Sequence, residues 1–154
     1  MEFIEGPKAS ACFLCEAAAL PPGKEAERLV LARTASALAL MNLYPYSNGH
    51  LLVAPTAHVA DFDQLDPQTA LELSTLSQRS LRALRAALKP DGFNLGMNLG
   101  QVAGAGVADH LHQHLVPRWG GDTNFMPVLA DVKVMSEHIR VTYEKLRVAF
   151  EASP

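Results

Sequence analysis

His110, His112 and His114 occupy every second position of "DHLHQHLVPRW", residues 109–119, and make up half of the six histidines in the chain. Imidazole ligates metals and exchanges protons near neutral pH, so three in step point to chemistry. If residues 110–116 form a strand, the three rings project to one face and Leu111, Gln113 and Leu115 to the other. Two strand residues advance about 6.6 Å, so neighbouring rings can serve adjacent sites or converge on one ion. Two chemistries fit. The rings could hold a catalytic zinc with an open water position, as in a zinc-dependent hydrolase. Alternatively, one ring is a nucleophile that attacks phosphorus and carries the transferred group between two half reactions. A solvated polar face, or histidines satisfied inside a core, is the reading without chemistry.

The segment before the ladder favours phosphorus. "NLGQVAGAGVADH", residues 98–110, consists mostly of small residues, so its backbone N–H groups can approach phosphate oxygens without a formal charge. The chain needs such local help. Its 13 Lys plus Arg against 16 Asp plus Glu leave a formal balance of −3, which offers no general field for a nucleic acid polymer or an anionic membrane.

Cys12 and Cys15, in "CFLC", have the spacing that sets two thiolates on one tetrahedral ion. A redox pair would want a thioredoxin-like setting, which the flanking segments do not offer. Two thiols without function are the remaining alternative. With no third cysteine, a zinc site must recruit histidines, and outside the ladder these are His50, His58 and His138. His58, in "APTAHV" just after an expected strand, is the chosen partner, with His110 as the fourth ligand. Four protein ligands leave no place for a water, so this zinc would be structural, fixing His110 while His112 does the chemistry.

The elements that must carry these residues follow from hydrophobic period. "ERLVLARTASALALMNLYP" reads as two short strands, and "HLLVAP" is a third beyond the turn-rich "YPYSNGH". From Asp66 to Leu88 the period becomes helical, with Asp66 as N-cap, Pro67 at the first position, and Leu71, Leu73, Leu76, Leu81, Leu84 and Leu88 recurring along the helix. "DGFNLGMNLG" alternates again, and "QVAGAGVAD" is a loop between strands. A second amphipathic helix is expected near Ser136, over residues 135–152, with Ile139, Tyr143, Leu146 and Phe150 on one side. These elements predict an α+β fold, an antiparallel sheet of about five strands with a main helix and a C-terminal helix packed on it. At 154 residues the expectation is a single domain over 1–154, with residues 1–20 as an N-terminal segment bearing the cysteine pair. No stretch approaches the roughly 18 apolar residues of a membrane span, and the N-terminus does not read as a signal peptide. Cys12 and Cys15 are too close to staple a secreted domain, so a cytoplasmic location is expected.

"HLHQHLV" resembles the histidine-triad motif of the HIT superfamily of nucleotide hydrolases and transferases. "CFLC", "NLYPYSNGHLLVAPTAHV", "GFNLGMNLG" and "HLHQHLVPRWGGDTNFMPV" extend the likeness over nearly the whole chain, closest to the bacterial diadenosine tetraphosphate phosphorylases or hydrolases. The resemblance implies a HIT fold, a homodimer, and an adenine nucleotide or dinucleoside polyphosphate as substrate. It further implies that His112 attacks the α-phosphorus to form a nucleotidyl-histidine intermediate, while His114 orients and polarises the site. Cys12, Cys15, His58 and His110 match the zinc ligands of the family's zinc-bearing members, in agreement with the spacing. Asn42 falls where relatives contact the ribose, and Asn98 where an amide faces the phosphates; Ala105 and Gly106 line the phosphate side.

The departures are specific. Many relatives carry Ser, Thr or Gln three or four residues before the first histidine, where this chain has Gly106 and Val107, so backbone N–H groups must substitute or leaving-group activation is weaker. A catalytically weak nucleotide-binding regulatory protein is therefore an alternative. His114, in place of Gln, argues against sugar-nucleotide transfer. Arg118 could meet a polyphosphate or pair at the surface, Trp119 could stack or pack, His50 is expected as a satisfied turn residue, and His138 as solvated.

Overall fold

A computed structural model describes residues 12–124, 126–130 and 135–154. The alternating runs form β1 (Val30–Arg33), β2 (Ala37–Met41), β3 (Leu51–Pro55), β4 (Gly92–Met97) and β5 (Gln113–Arg118), all antiparallel, in the spatial order β1-β2-β3-β5-β4. The helices are α1 (Phe13–Ala18), α2 (Pro67–Leu88), α3 (Met126–Ala130) and α4 (Ile139–Ala152). This is the α+β architecture that the periods predict. The part of the expected N-terminal segment over residues 1–11 lies outside the described residues.

Strand alternation divides the interior into two layers. From β2, Ala37, Ala39 and Met41 join Leu51, Val53 and Leu115 beneath α2 and α4, where Leu73, Leu76, Leu84, Tyr143, Leu146 and Phe150 complete the larger core. Leu38 and Leu40 turn the other way, with Val30, Leu52 and Ala54, to cover α1 through Leu14 and Ala17. Each large apolar side chain so buried contributes about 1.5–3 kcal/mol. The smaller layer matters more for function, because it seats the cysteines.

The N-cap of α2 is as expected: the Asp66 carboxylate accepts from the Thr69 N–H at 3.0 Å, and Pro67 occupies the first turn. One member of its stripe is corrected. Leu71 is 59 % exposed, since it lies two residues from Leu73 and so points nearly opposite to it. On the C-terminal helix, which begins at Ile139, the His138 ring caps the first turn by accepting from the Arg140 N–H.

The ladder strand is also corrected. β5 begins at Gln113, so of the three histidines His114 alone lies within it. The β3–β5 pairing ends at Val53↔Gln113 because Pro55 has no N–H to continue it, and the Pro55 carbonyl accepts from the His110 ring instead. Leu111 N–H donates to the Val59 carbonyl at 2.7 Å, so His110 and His112 are held by the chain that follows β3.

Gly49 sets the turn into β3. Its φ is +75°, and a Cβ there would collide with the Leu88 side chain and press on Leu84 at 3.3 Å. Gly49→Ala is expected to lower stability by about 1–3 kcal/mol from backbone strain and overpacking, measured as a lower urea midpoint at unchanged slope.

Candidate active site and metal centre

The cysteines sit on and just before α1, which is too short to hold its own shape. Arg33, reaching across from β1, donates to the Ala17, Ala18 and Leu20 carbonyls at 2.8, 3.1 and 2.9 Å, covering the C-terminal end of the helix. Arg28 pairs with Glu16 on the same helix. With α1 so fixed, Cys12 and Cys15 face His58 and His110.

The His110 Nε2–H donates to the Pro55 carbonyl at 2.9 Å, which leaves Nδ1 as the bare nitrogen. Nδ1 lies 3.3 Å from Cys12 Sγ, 3.4 Å from Cys15 Sγ and 3.2 Å from His58 Nδ1, and His58 Nδ1 is 3.2 Å from Cys15 Sγ. All four donor atoms fall within 4.8 Å of one another. Tetrahedral zinc with bonds of about 2.0–2.3 Å has edges of about 3.3–3.8 Å. The donor types and their separations therefore fit one tetrahedral cation, and Cys12 and His110 are buried. Burial, and then the adjacent Cys12 thiol, push the Cys15 thiol up to about 11, while burial holds His110 below the ordinary histidine range.

The other two histidines take no part in that cluster. His112 Nδ1 lies 2.8 Å from the carbonyl of His110. A carbonyl can only accept, so Nδ1 carries the proton and Nε2 of neutral His112 bears the lone pair. No hydrogen bond to that Nε2 is found among the described residues, and the residue as a whole is 6 % exposed.

His114 is set by a longer chain. The Tyr46 N–H donates to His50 Nδ1 at 3.0 Å, which leaves the proton of neutral His50 on Nε2. His50 Nε2 lies 2.9 Å from His114 Nδ1 and donates to it, so neutral His114 carries its own proton on Nε2. The His112 and His114 rings stand edge to face, 5.0 Å apart and 68° to one another. Gly96 of β4 pairs with His114, and a Cβ there would meet nothing within 4 Å, so space stays open beside the ring. The site thus presents a nitrogen lone pair and an N–H donor side by side.

His50, read from sequence as a satisfied turn residue, is fully buried and is the link that sets His114. Its signal was present: His50 shares a strand parity with Leu52, whose cross-strand partner is His114. Asn42 is drawn into the same knot. Its Oδ1 accepts from the Tyr44 N–H at 3.0 Å and its Nδ2 lies 3.4 Å from His50 Nδ1. Asn98 donates to the Gly104 carbonyl at 3.3 Å, bracing the small-residue loop. Within that loop the Ala105 N–H is engaged by the Gly100 carbonyl at 3.3 Å, whereas Gly106, Val107, Ala108 and Asp109 donate to no backbone acceptor among the described residues. Arg118 is paired with Asp122 through two nitrogens, at 2.6 and 2.9 Å, and donates to Asn94 at 2.8 Å, the surface pairing of its two readings.

A family model described as "HIT domain" matches residues 23–121. An "AP-4-A phosphorylase" of Mycobacterium tuberculosis is 39 % identical over 135 residues, covering 88 % of this chain and 69 % of that protein. An "Adenosine 5'-monophosphoramidase hnt1" of Schizosaccharomyces pombe is 33 % identical over 88 residues, covering 57 % of this chain and 62 % of its own. Among solved structures, a zinc-bound histidine triad family protein from Mycobacterium smegmatis superposes with a TM-score of 0.73 at 26 % identity, covering 94 % of this chain and 96 % of the other.

The hydrogen-bond pattern has a direct spectroscopic test. Long-range proton–nitrogen spectra of the imidazoles should show His112 as the Nδ1–H tautomer, with His50 and His114 as Nε2–H. Burial, and then the charge of His112, lower the His114 pKa, so its resonances should titrate below the usual value of about 6.5. An unfolded chain binds this proton first, so the neutral-ring contribution to stability is present above pH of about 6.5 and is lost as pH falls through the folded-state value.

Proposed function

The chain belongs to the HIT domain family, and on that premise we propose that it cleaves dinucleoside polyphosphates, or related adenylated compounds, by nucleotidyl transfer through His112. The observation that carries this reading is the lone pair on His112 Nε2, fixed by the backbone bond at the opposite nitrogen, in a ring that stands 5.0 Å from that of the N–H donor His114. The sequence relatives named as a phosphorylase and a phosphoramidase of adenine nucleotides support the substrate class.

In the first half reaction His112 Nε2 attacks the α-phosphorus. A P–N bond forms as the bond to the bridging oxygen breaks, and diadenosine tetraphosphate leaves behind an adenylyl-histidine while ATP departs. In the second, water or inorganic phosphate attacks the same phosphorus, the P–N bond breaks, and AMP or ADP leaves. His114 Nε2–H donates to a phosphoryl oxygen whose charge grows in the transition state. The N–H groups from Gly106 to Asp109 are the further donors, with Ala105 and Asn98 closing the loop behind them. Asn42, at the edge of the His50 knot, takes the ribose hydroxyls. These groups perform the stabilisation that relatives obtain from a Ser, Thr or Gln side chain.

Zinc in the Cys12–Cys15–His58–His110 set would crosslink the N-terminal segment to the chain that carries His112, with all four coordination positions filled by protein. A three-histidine catalytic zinc finds no support, because His110 Nδ1 belongs to the cysteine cluster and the neutral His114 ring carries its proton on Nε2. A second copy of the chain fits against β4, an edge strand whose Leu95 is 45 % exposed, to form a homodimer. The free thiols fit a cytoplasmic setting, and no described helix is long and apolar enough to cross a membrane.

His112→Ala should reduce turnover of diadenosine tetraphosphate by on the order of 10³ or more while leaving the fold intact. Product analysis identifies the acceptor: AMP with ATP in plain buffer marks hydrolysis, and ADP with ATP that requires added phosphate marks phosphorolysis. A parent chain that binds the dinucleotide without turnover would make it a regulatory binder instead. Elemental analysis should find one zinc per chain. The metal should be lost in the Cys12→Ser, Cys15→Ser double variant and retained in His112→Ala, and zinc surviving the loss of both thiols would overturn the closed site.

A further inference from the structure

Tyr46 is a large aromatic residue that stands 55 % exposed in the turn between β2 and β3. Its neighbours are imidazoles. The ring lies 5.7 Å from that of His114 at an interplanar angle of 19°, a stacked arrangement, and 4.7 Å from that of His50 at 40°. Its own backbone N–H is the donor that fixes the His50 tautomer.

Those contacts solve a geometrical problem. The hydrogen bond from His50 fixes one atom of the His114 ring, Nδ1, and leaves the ring able to tilt about that point. A tilt swings the Nε2–H through an arc and off the phosphoryl oxygen it must meet. A flat ring stacked on that of His114 restricts this freedom, and the edge-to-face contact with His112 is a second restraint. The same ring covers the neighbouring His50 and hinders water from competing for its hydrogen bond to His114.

We propose that Tyr46 is a positioning residue for the nucleotidyl transfer: its backbone sets the proton of His50, and its ring sets the plane of His114, so that the His114 N–H is aimed before substrate arrives. This rests on the reading that His114 stabilises the transferring phosphoryl group. The contribution is to kcat, because the aimed donor acts as charge develops rather than when substrate binds.

Tyr46→Phe, Tyr46→Leu and Tyr46→Ala separate the flat ring from the hydroxyl and from bulk. With diadenosine tetraphosphate, the Ala and Leu variants should lose about tenfold to a hundredfold in kcat, with KM changed by no more than about twofold, and Phe should stay within about twofold of the parent. Long-range proton–nitrogen spectra without substrate are the second reading. In the Ala and Leu variants the His50 Nε2 proton should exchange faster with water and the His114 nitrogens should shift toward tautomer-averaged values, with Phe restoring the parent spectrum. A parent-like kcat with a raised KM would instead make the ring a stacking surface for substrate and overturn the proposal. A His114 spectrum unchanged in the Ala and Leu variants would overturn it as well. The spectra need no turnover, so a wrong substrate assignment leaves this test standing, and Trp119 fluorescence checks the fold of each variant.

Discussion

A neutral imidazole has one proton for two nitrogens, so whatever bonds to one nitrogen decides the chemistry of the other. Three backbone groups exercise that control here. The Pro55 carbonyl takes the His110 proton, the His110 carbonyl takes the His112 proton, and the Tyr46 N–H forces the His50 proton toward His114. Backbone groups cannot change their donor or acceptor character, so each assignment is as firm as the local fold. A nitrogen facing the cysteine pair, a nitrogen with a bare lone pair and a donating nitrogen then emerge from one residue type within five positions of sequence.

The metal-facing cluster and the reacting pair share His110, and they share it through different atoms. Its ring joins Cys12, Cys15 and His58, while its carbonyl holds His112. A rotation of the His110 side chain would therefore disturb the cysteine set, and a shift of its peptide plane would release the His112 ring. Arg33 supports the arrangement from behind by closing α1. Residues far from phosphorus in sequence and in chemistry are thus part of keeping one nitrogen bare.

Much of this was legible in the sequence, because alternation and helical period reflect burial directly. The Asp66–Pro67 helix start, the short antiparallel strands and the Cys12, Cys15, His58, His110 set all follow from residue type and spacing. What was not legible depends on a partner across the sheet. The ladder strand begins late because of Pro55, which is 55 residues away from His110. His50 gained its place from a contact over 64 positions, and Arg118 is engaged by Asp122, a pairing that local period does not announce. Leu71 shows the opposite failure: a residue of the right type fell off the buried face by its angle alone.

The early end of the β3–β5 pairing divides the three histidines between two frames. His114 lies within the sheet, whereas His110 and His112 precede it, held by Val59 through Leu111 and by the end of β3 through the His110 ring. The lone-pair nitrogen and its neighbouring donor are therefore aimed by different backbone supports and meet only where their rings touch, 5.0 Å apart. A shift of the cysteine-bearing helix would reach His112 through the backbone of His110, whereas the turn before β3 reaches His114 through His50.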